Sequence, residues 1–490
     1  MSSNRVFWGS AFAGYLLLWF AANYPALFQA WWYRDDFTNG WFFVTNPSGE
    51  GATLVYNCFG SDGRPLAFLV ESLFAFNHYP NLEINIAFRW AQGIAHVVLS
   101  LLIAATLSRH LPRWQAVLAV IPFLIWAFNG EATLYFTASL YLLSALFSLC
   151  GLRFILIGVE RDRKGWCAAG SVLTICSFLT MQSVAIVGFT VWLILLVLRS
   201  IESGRLQKLW RWEALWLLYG NLAGGALTKW ITLVGQSRRA GAPSSLLDKF
   251  DYWLELNRTF LFWPHYYPLA LKILHILLLV LGFAIPTWFL LKTKHPRTLV
   301  FVLLVLAANF VLPYLANLIV AVNLTTFRTF YIAPLVFVAL FSIALAVARQ
   351  SRWISGILAV IVAILAFFNI GIAQANARDY VTLYNNEVQA IHDLEKVADQ
   401  NHYTVVFSLT DSAPVNPFGL TYPWTDGHEC DFKFNWSAKT FIELYSPLKM
   451  PWPSDYDTTS FKKDIQNLPA TPGIHFYPIP ERQLIYVQAN

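Results

Sequence analysis

Charge is scarce in this chain. Of its 490 residues, 34 are Lys or Arg and 28 are Asp or Glu, 13% in all, while 57% are apolar and the mean hydropathy is +0.50. Soluble domains carry about a quarter charged residues, so an ordinary cytosolic enzyme and a disordered protein are both excluded. Cysteine is scarce too. Five cysteines cannot staple a disulfide scaffold, and no Cys/His spacing suits zinc. The chain also lacks a nucleotide fingerprint, a Gly-rich phosphate loop and a fixed-period repeat. Interrupted apolar segments at matching positions of two halves, a mark of many secondary transporters, are missing as well. No nucleic-acid partner is expected.

What the chain has is long apolar runs. Windows of about 20 residues predict eleven spans, at 6–28, 84–107, 115–136, 137–158, 166–181, 184–200, 213–235, 269–291, 298–320, 330–348 and 353–373. The first ends at Pro25 and aromatics rather than a small-residue cleavage site, so it reads as a retained span. An odd number of spans puts the termini on opposite sides. One set of short loops holds Arg5, Arg109, Arg113, Arg161, Arg163, Lys164, Arg199, Arg205, Lys208, Arg211, Lys292, Lys294, Arg297, Arg349 and Arg352, whereas the turns near 129–137 and 181–183 hold no Lys or Arg. The basic set is therefore expected in the cytoplasm. A first loop at 29–83, a loop at 236–268 and the C-terminal tail then lie outside.

Charge also divides the chain. Residues 1–374 hold 26 basic and 14 acidic side chains, and residues 375–490 hold 8 and 14. A membrane body followed by a soluble tail is the expected organisation. In the tail, apolar residues from Tyr380 to Val397 recur at helical spacing, and Thr404–Leu409 and Leu484–Gln488 read as strands, so the tail is expected to be α/β. Trp424 and Trp436 can stack on sugar rings or fill its core. Cys150, Cys167 and Cys176 fall in spans and read as small buried hydrophobes. Cys58 and Cys430 share the outer side, which leaves a disulfide between them open.

The first outer loop concentrates polar chemistry. It begins Trp31-Trp32-Tyr33-Arg34-Asp35-Asp36-Phe37, with two carboxylates at headgroup depth. Such charges are costly unless paired or used. Either Arg34 pairs with them and the group caps a surface helix, or one carboxylate acts as a general base toward a hydroxyl. Glycoside hydrolysis wants two separated carboxyls, because the leaving alkoxide needs an acid. A sugar on a lipid phosphate leaves as a stable anion, so one base plus cations suffices. The same loop supplies a cation in Ser61-Asp62-Gly63-Arg64-Pro65, where Gly63 permits a tight turn and Pro65 can open a helix. Arg64 either meets the phosphate or snorkels to headgroups.

These features together resemble the bacterial and bacteriophage O-antigen glucosyltransferases of the serotype-conversion type, members of the GT-C superclass. The segments Asn129-Gly130-Glu131-Ala132-Thr133-Leu134-Tyr135, Met181-Gln182-Ser183 and Thr326-Phe327-Arg328-Thr329 are similar to that family too. Met181 departs from it, standing where the family often has an aromatic residue. The resemblance covers most of the body and extends more weakly into the tail.

It implies a polytopic α-helical membrane protein of GT-C type with a C-terminal periplasmic α/β domain. Asp35 or Asp36 would be the base, and Glu131 would bond acceptor hydroxyls or position that base. Donor phosphate would meet Arg64, Arg238, Arg239, Arg328 or Lys229. Tyr33, Gln182 and His265 are candidates for sugar or acceptor contact, although Gln182 also suits a polar inter-helix turn and His265 an interfacial helix. No cofactor is expected; the Asp pair can hold a divalent cation, but none is favoured. The expected reaction moves glucose or another hexose from undecaprenyl phosphate to an O-antigen hydroxyl with inversion. The rivals are a GT-C transferase for another sugar or acceptor (lipid A, teichoic acid, protein), a flippase for a lipid-linked glycan, and a ligand-binding or assembly protein.

Overall fold

The computed structural model describes residues 2–28, 60–78, 82–126, 129, 139–203, 212–235, 245–258, 268–292, 296–318, 331–349, 351–408, 442, 446–450 and 474–489. Helices dominate them. In chain order they are α1 Ser2–Leu27, α2 Pro65–His78, α3 Leu82–Leu107, α4 Arg113–Leu124, α5 Ser139–Glu160, α6 Lys164–Thr180, α7 Val187–Ser203, α8 Trp212–Val234, α9 Leu246–Asn257, α10 Leu269–Lys292, α11 Pro296–Val311, α12 Leu335–Val347 and α13 Arg352–Asn401. Short 3-10 turns at Gln182–Val184 and Leu312–Tyr314 precede α7 and follow α11. Helix occurs within each of the eleven predicted windows, although α4 ends at Leu124, well short of the end of the window 115–136. Among the described residues, seven segments are long and apolar enough to cross a membrane: Asn4–Leu27, Ile86–Leu107, Ser139–Glu160, Gln182–Ser203, Leu269–Lys292, Pro296–Tyr314 and Trp353–Asn401. The protein is therefore a helical, multi-pass membrane protein. The helices at Arg113–Leu124 and Leu335–Val347 are apolar but shorter.

Burial sorts the helices. In α12 every residue but Ala346 is buried, so an apolar helix of this kind belongs at the centre of a bundle. It packs against α4, α7, α10, α11 and α13. By contrast α8 and α10 expose Trp212, Tyr219, Trp230, Ile273, Val280 and Trp288, apolar surface that suits lipid rather than water. Helices α5 and α6 come closest where Gly151 faces Gly170. A Cβ on Gly151 would lie 2.7 Å from the Gly170 carbonyl, and one on Gly170 would lie 2.5 Å from the Gly151 carbonyl. Small residues at such a seam let backbones approach in lipid. Cys150, Cys167 and Cys176 are free thiols; Cys167 is buried and the other two half-buried.

One end of the bundle is tied by charge. Arg109 pairs with Glu160, Arg199 with Glu213 at 2.6 Å, and Glu202 with both His110 and Arg349. These residues come from the α3–α4, α5–α6, α7–α8 and α12–α13 connections, the set of basic loops expected to share one side. His110 is held in one neutral form. Arg199 Nε can only donate, so His110 Nε2 accepts from it at 3.1 Å while Nδ1–H donates to Glu202 at 2.8 Å. Burial lowers the His110 pKa below the ordinary 6.5. The unfolded chain then binds the proton more readily, so stability is expected to fall as pH drops below 6.5. Thermal unfolding in detergent between pH 7.5 and 5 checks this, with His110→Gln flattening the slope.

Helix α13 runs unbroken for 50 residues, from its Ser351 N-cap to a left-handed His402 (φ 56°). The expected boundary at 374/375 thus falls inside one helix, which joins the last predicted span to the helix predicted at 375–399. Beyond it the described residues form a three-stranded sheet in the order β1-β3-β2, with β1 Val405–Ser408 parallel and β2 Ile474–Ile479 antiparallel to β3 Leu484–Ala489. Ile391, Leu394 and Ala398 of α13 share a separate apolar cluster with Val406, Ile485 and Val487. The two strands read from sequence are present. Strand β2 was missed because Pro478 and flanking prolines break its pattern, and it occupies an edge, where proline is tolerated.

Candidate functional site

The turn before α2 is built around Gly63, whose φ is +79°. A Cβ there would sit 2.8 Å from both the carbonyl oxygen and Cγ2 of Thr228 on α8, so backbone conformation and space both demand glycine. Gly63→Ala is expected to cost about 1–3 kcal/mol. A lowered unfolding midpoint relative to Gly165→Ala, where a Cβ would meet nothing within 4 Å, is the check.

The next residue, Arg64, is only 8% exposed. Its Nε donates to Gln182 Oε1 at 3.0 Å, and Gln182 Nε2 donates back to the carbonyls of Gly63 at 3.0 Å and Asp62 at 3.3 Å. Two of the motifs read separately in the sequence are thus one joint, 118 residues apart in the chain. It fastens the start of α2 to the α6–α7 corner and, through Gly63, to α8. Both donors of Gln182 are committed to the turn, which leaves a lone pair of Oε1 for a sugar hydroxyl. Met181 before it is buried in the core.

Arg64 itself is half committed. Among the described residues, its Nη1 and Nη2 groups make no hydrogen bond or ion pair. Arg64 immediately precedes the 14-residue α2, whose N-terminal dipole and unpaired backbone N–H groups favour an anion. Close by, Ser183 Oγ and Thr228 Oγ1 are buried with no hydrogen-bond partner among the described residues. Lys229 is exposed on α8, next in the chain to Thr228.

A second polar group was not read from the sequence. Arg89, Gln92, His96 and Ser100 are all buried on α3, at spacings of three and four that put them on one helix face. The spacing was the available signal. Averaging hydropathy over about 20 residues hid it. Arg89 Nη1 donates to the Ala26 carbonyl near the end of α1 at 3.5 Å, and Gly93 on this helix packs directly on the ring of Trp19. Asn23, His96, Trp126 and Asn129 line a cavity of about 10 Å³, room for one water. Asn129 is anchored by its Nδ2, which donates to the Phe123 carbonyl at 2.7 Å.

Of the candidates read from sequence, the structure brings Arg64 and Gln182 together, while Lys229 is exposed on α8. Tyr33, Asp35, Asp36, Glu131, Arg238, Arg239, His265 and Arg328 lie outside the described residues, as do Cys58, Cys430, Trp424 and Trp436. Among the described residues, no three His, Cys, Asp or Glu side chains gather into a metal-binding group. No protein-family model, curated protein or solved structure matches the chain.

Proposed function

We propose that this protein is an inverting glycosyltransferase. It moves glucose or another hexose from undecaprenyl phosphate to a hydroxyl of a lipopolysaccharide O-antigen, at the periplasmic face of the bacterial inner membrane. In this reading eleven spans place the N-terminus in the cytoplasm and the tail, with its sheet, in the periplasm. Asp35 or Asp36 takes the acceptor hydroxyl proton, the oxygen attacks the anomeric carbon, and the bond to the phosphate oxygen breaks. The lipid phosphate leaves with the bonding pair.

The observation that carries this reading is Arg64. The residue is buried and immediately precedes α2, and its guanidinium is steered by Gln182 and keeps both Nη groups without a partner among the described residues. A planar fork of this kind suits a phosphodiester. The test is turnover of synthetic polyprenyl-phosphate glucose with purified O-antigen by the full-length protein, reading the anomer of the product. Transfer with inversion supports the proposal; no transfer from any lipid-linked hexose ends it.

One observation favours a second reading. A flippase for a lipid-linked glycan needs charge inside the bundle, and Arg89 is buried within the segment Ile86–Leu107. The pair Asp35→Asn and Asp36→Asn separates the two, since under the flippase reading both leave transport intact, while under the transferase reading one of them sharply cuts transfer.

A further inference from the structure

Helix α9 differs from the spans around it. Its 12 residues reach about 18 Å at 1.5 Å each, too short for a hydrocarbon core of about 30 Å. Ser245 caps its start, accepting from the Asp248 backbone N–H at 3.1 Å. Its position is fixed by Trp253, whose Nε1 donates to the Phe310 carbonyl at 2.8 Å, near the end of the apolar segment Pro296–Tyr314. The Leu312–Tyr314 turn just beyond packs against the Gln182–Val184 turn, which carries Gln182 of the Arg64 joint. Gly63 of that joint abuts Thr228 in the second half of α8, while α8 begins beside the Arg199–Glu213 ion pair. Helix α9 therefore sits at the Arg64 end of the bundle, opposite the ion pairs.

At about 100° per residue, its side chains fall into three arcs. Lys249, Leu256 and Asn257 are buried against the protein, with Tyr252 and Trp253 half-buried beside them, and Lys249 Nζ lies 5.6 Å over the Tyr252 ring. The exposed side is divided. Leu247, Phe250 and Leu254 fill one flank about 60° wide, and Asp248, Asp251, Glu255 and Arg258 fill the other. Arg258 donates from Nε and Nη2 to Glu255 at 2.9 and 2.8 Å. Apolar and charged residues do not mix. Water over the whole outer side would not sort them, whereas a lipid surface along one flank does.

The neighbours of α9 in the chain identify that surface. Val234, the last residue of α8, and Leu269, the first of α10, are both exposed. The lipid-facing surface of these two spans thus extends to their ends on either side of α9. Tyr252 and Trp253 are the aromatics found where acyl chains give way to headgroups.

We propose that α9 is an interfacial helix docked on the bilayer, with Leu247, Phe250 and Leu254 in the acyl region and Asp248, Asp251 and Glu255 turned to water. The occupant of the apolar flank is lipid, because that flank continues a surface already facing acyl chains. Docking sets the depth of the bundle end that carries Arg64. It does not depend on the transferase reading.

The test uses the full-length protein in phosphatidylcholine nanodiscs. An environment-sensitive fluorescent amino acid is placed by nonsense suppression at Leu247, Phe250, Leu254, Asp251 or Glu255, one site at a time. Lipids with doxyl groups on the acyl chains quench from the bilayer, and iodide quenches from water. Probes at Leu247, Phe250 and Leu254 are expected to read about 5–10 Å below the headgroup boundary, quenched by doxyl lipid and shielded from iodide. Probes at Asp251 and Glu255 should show the reverse. Iodide quenching at Phe250 and Leu254 puts the stripe in water and overturns the proposal. Shielding from both quenchers means that protein covers the stripe, which overturns it as well. Phe250→Asp/Leu254→Asp is expected to convert the Leu247 probe from doxyl-quenched to iodide-quenched, while the Trp253 bond keeps α9 on the bundle. A Leu247 probe that stays in lipid in that variant also overturns the proposal.

Discussion

Asp35→Asn or Asp36→Asn is expected to cut transfer from polyprenyl-phosphate glucose by about 10²- to 10⁴-fold, the range that a general base contributes. The two substitutions should not be equal. The proposed reaction needs one base, and only one of the two side chains is expected to reach the acceptor hydroxyl. That one serves as base. Its amide replacement keeps shape and hydrogen bonding but has no basic oxygen, so KM for the acceptor should change far less than kcat. The phosphate leaving group needs no acid, and no second carboxylate should prove equally sensitive on the donor side. Initial rates for both variants and wild type, at saturating acceptor, decide the matter. Full rate in both variants removes the doublet from the chemistry.

Arg64→Ala is expected to lower kcat/KM for the donor about 100-fold, and Arg64→Lys to restore little of it. Each charge-assisted hydrogen bond is worth about 1.5–3 kcal/mol, and the two free Nη groups can make a pair. Lysine fails for a geometric reason. Arg64 uses Nε on Gln182, in the proposed reading its Nη groups take the anion, and a single ammonium cannot divide itself that way. Gln182→Ala should fall between wild type and Arg64→Ala. It releases Nε and leaves the Asp62 and Gly63 carbonyls without the amide, but the guanidinium remains. Steady-state kinetics with varied donor test the series. An unchanged donor KM and kcat in Arg64→Ala would move the phosphate elsewhere, to Arg238, Arg239, Arg328 or Lys229.

Much of this architecture was legible because lipid is an unforgiving solvent. A run of about 20 apolar residues has few alternatives to a helix, and helix occurs within every predicted window. Ends were less legible. Helix α4 stops at Leu124, with Ile125 as its C-cap, although the apolar run continues. Charge composition changes at 374/375 while the backbone does not, so a compositional boundary fell in the middle of α13. The Gly63-Arg64 and Gln182 motifs were each visible, because a glycine and an arginine just before a proline that opens a helix, and a glutamine between apolar helices, both stand out. Their bond was not visible, since no local pattern encodes contact across 118 residues. The α3 face was legible in principle. Arg89, Gln92, His96 and Ser100 repeat at helical spacing, and a strongly apolar surrounding masks such a stripe in any average.

The length of α13 carries a consequence of its own. At about 1.5 Å per residue, 50 residues make a rod of about 75 Å, against a hydrocarbon core of about 30 Å. No glycine or proline hinge interrupts it between Asn376 and His402. The β-sheet is thus mounted on a mast rather than tethered by a string. Its azimuth and height above the bilayer are set by how α13 seats against α1, where Gln374 Nε2 donates to the Ala21 carbonyl at 2.7 Å. Torque on one end is felt at the other.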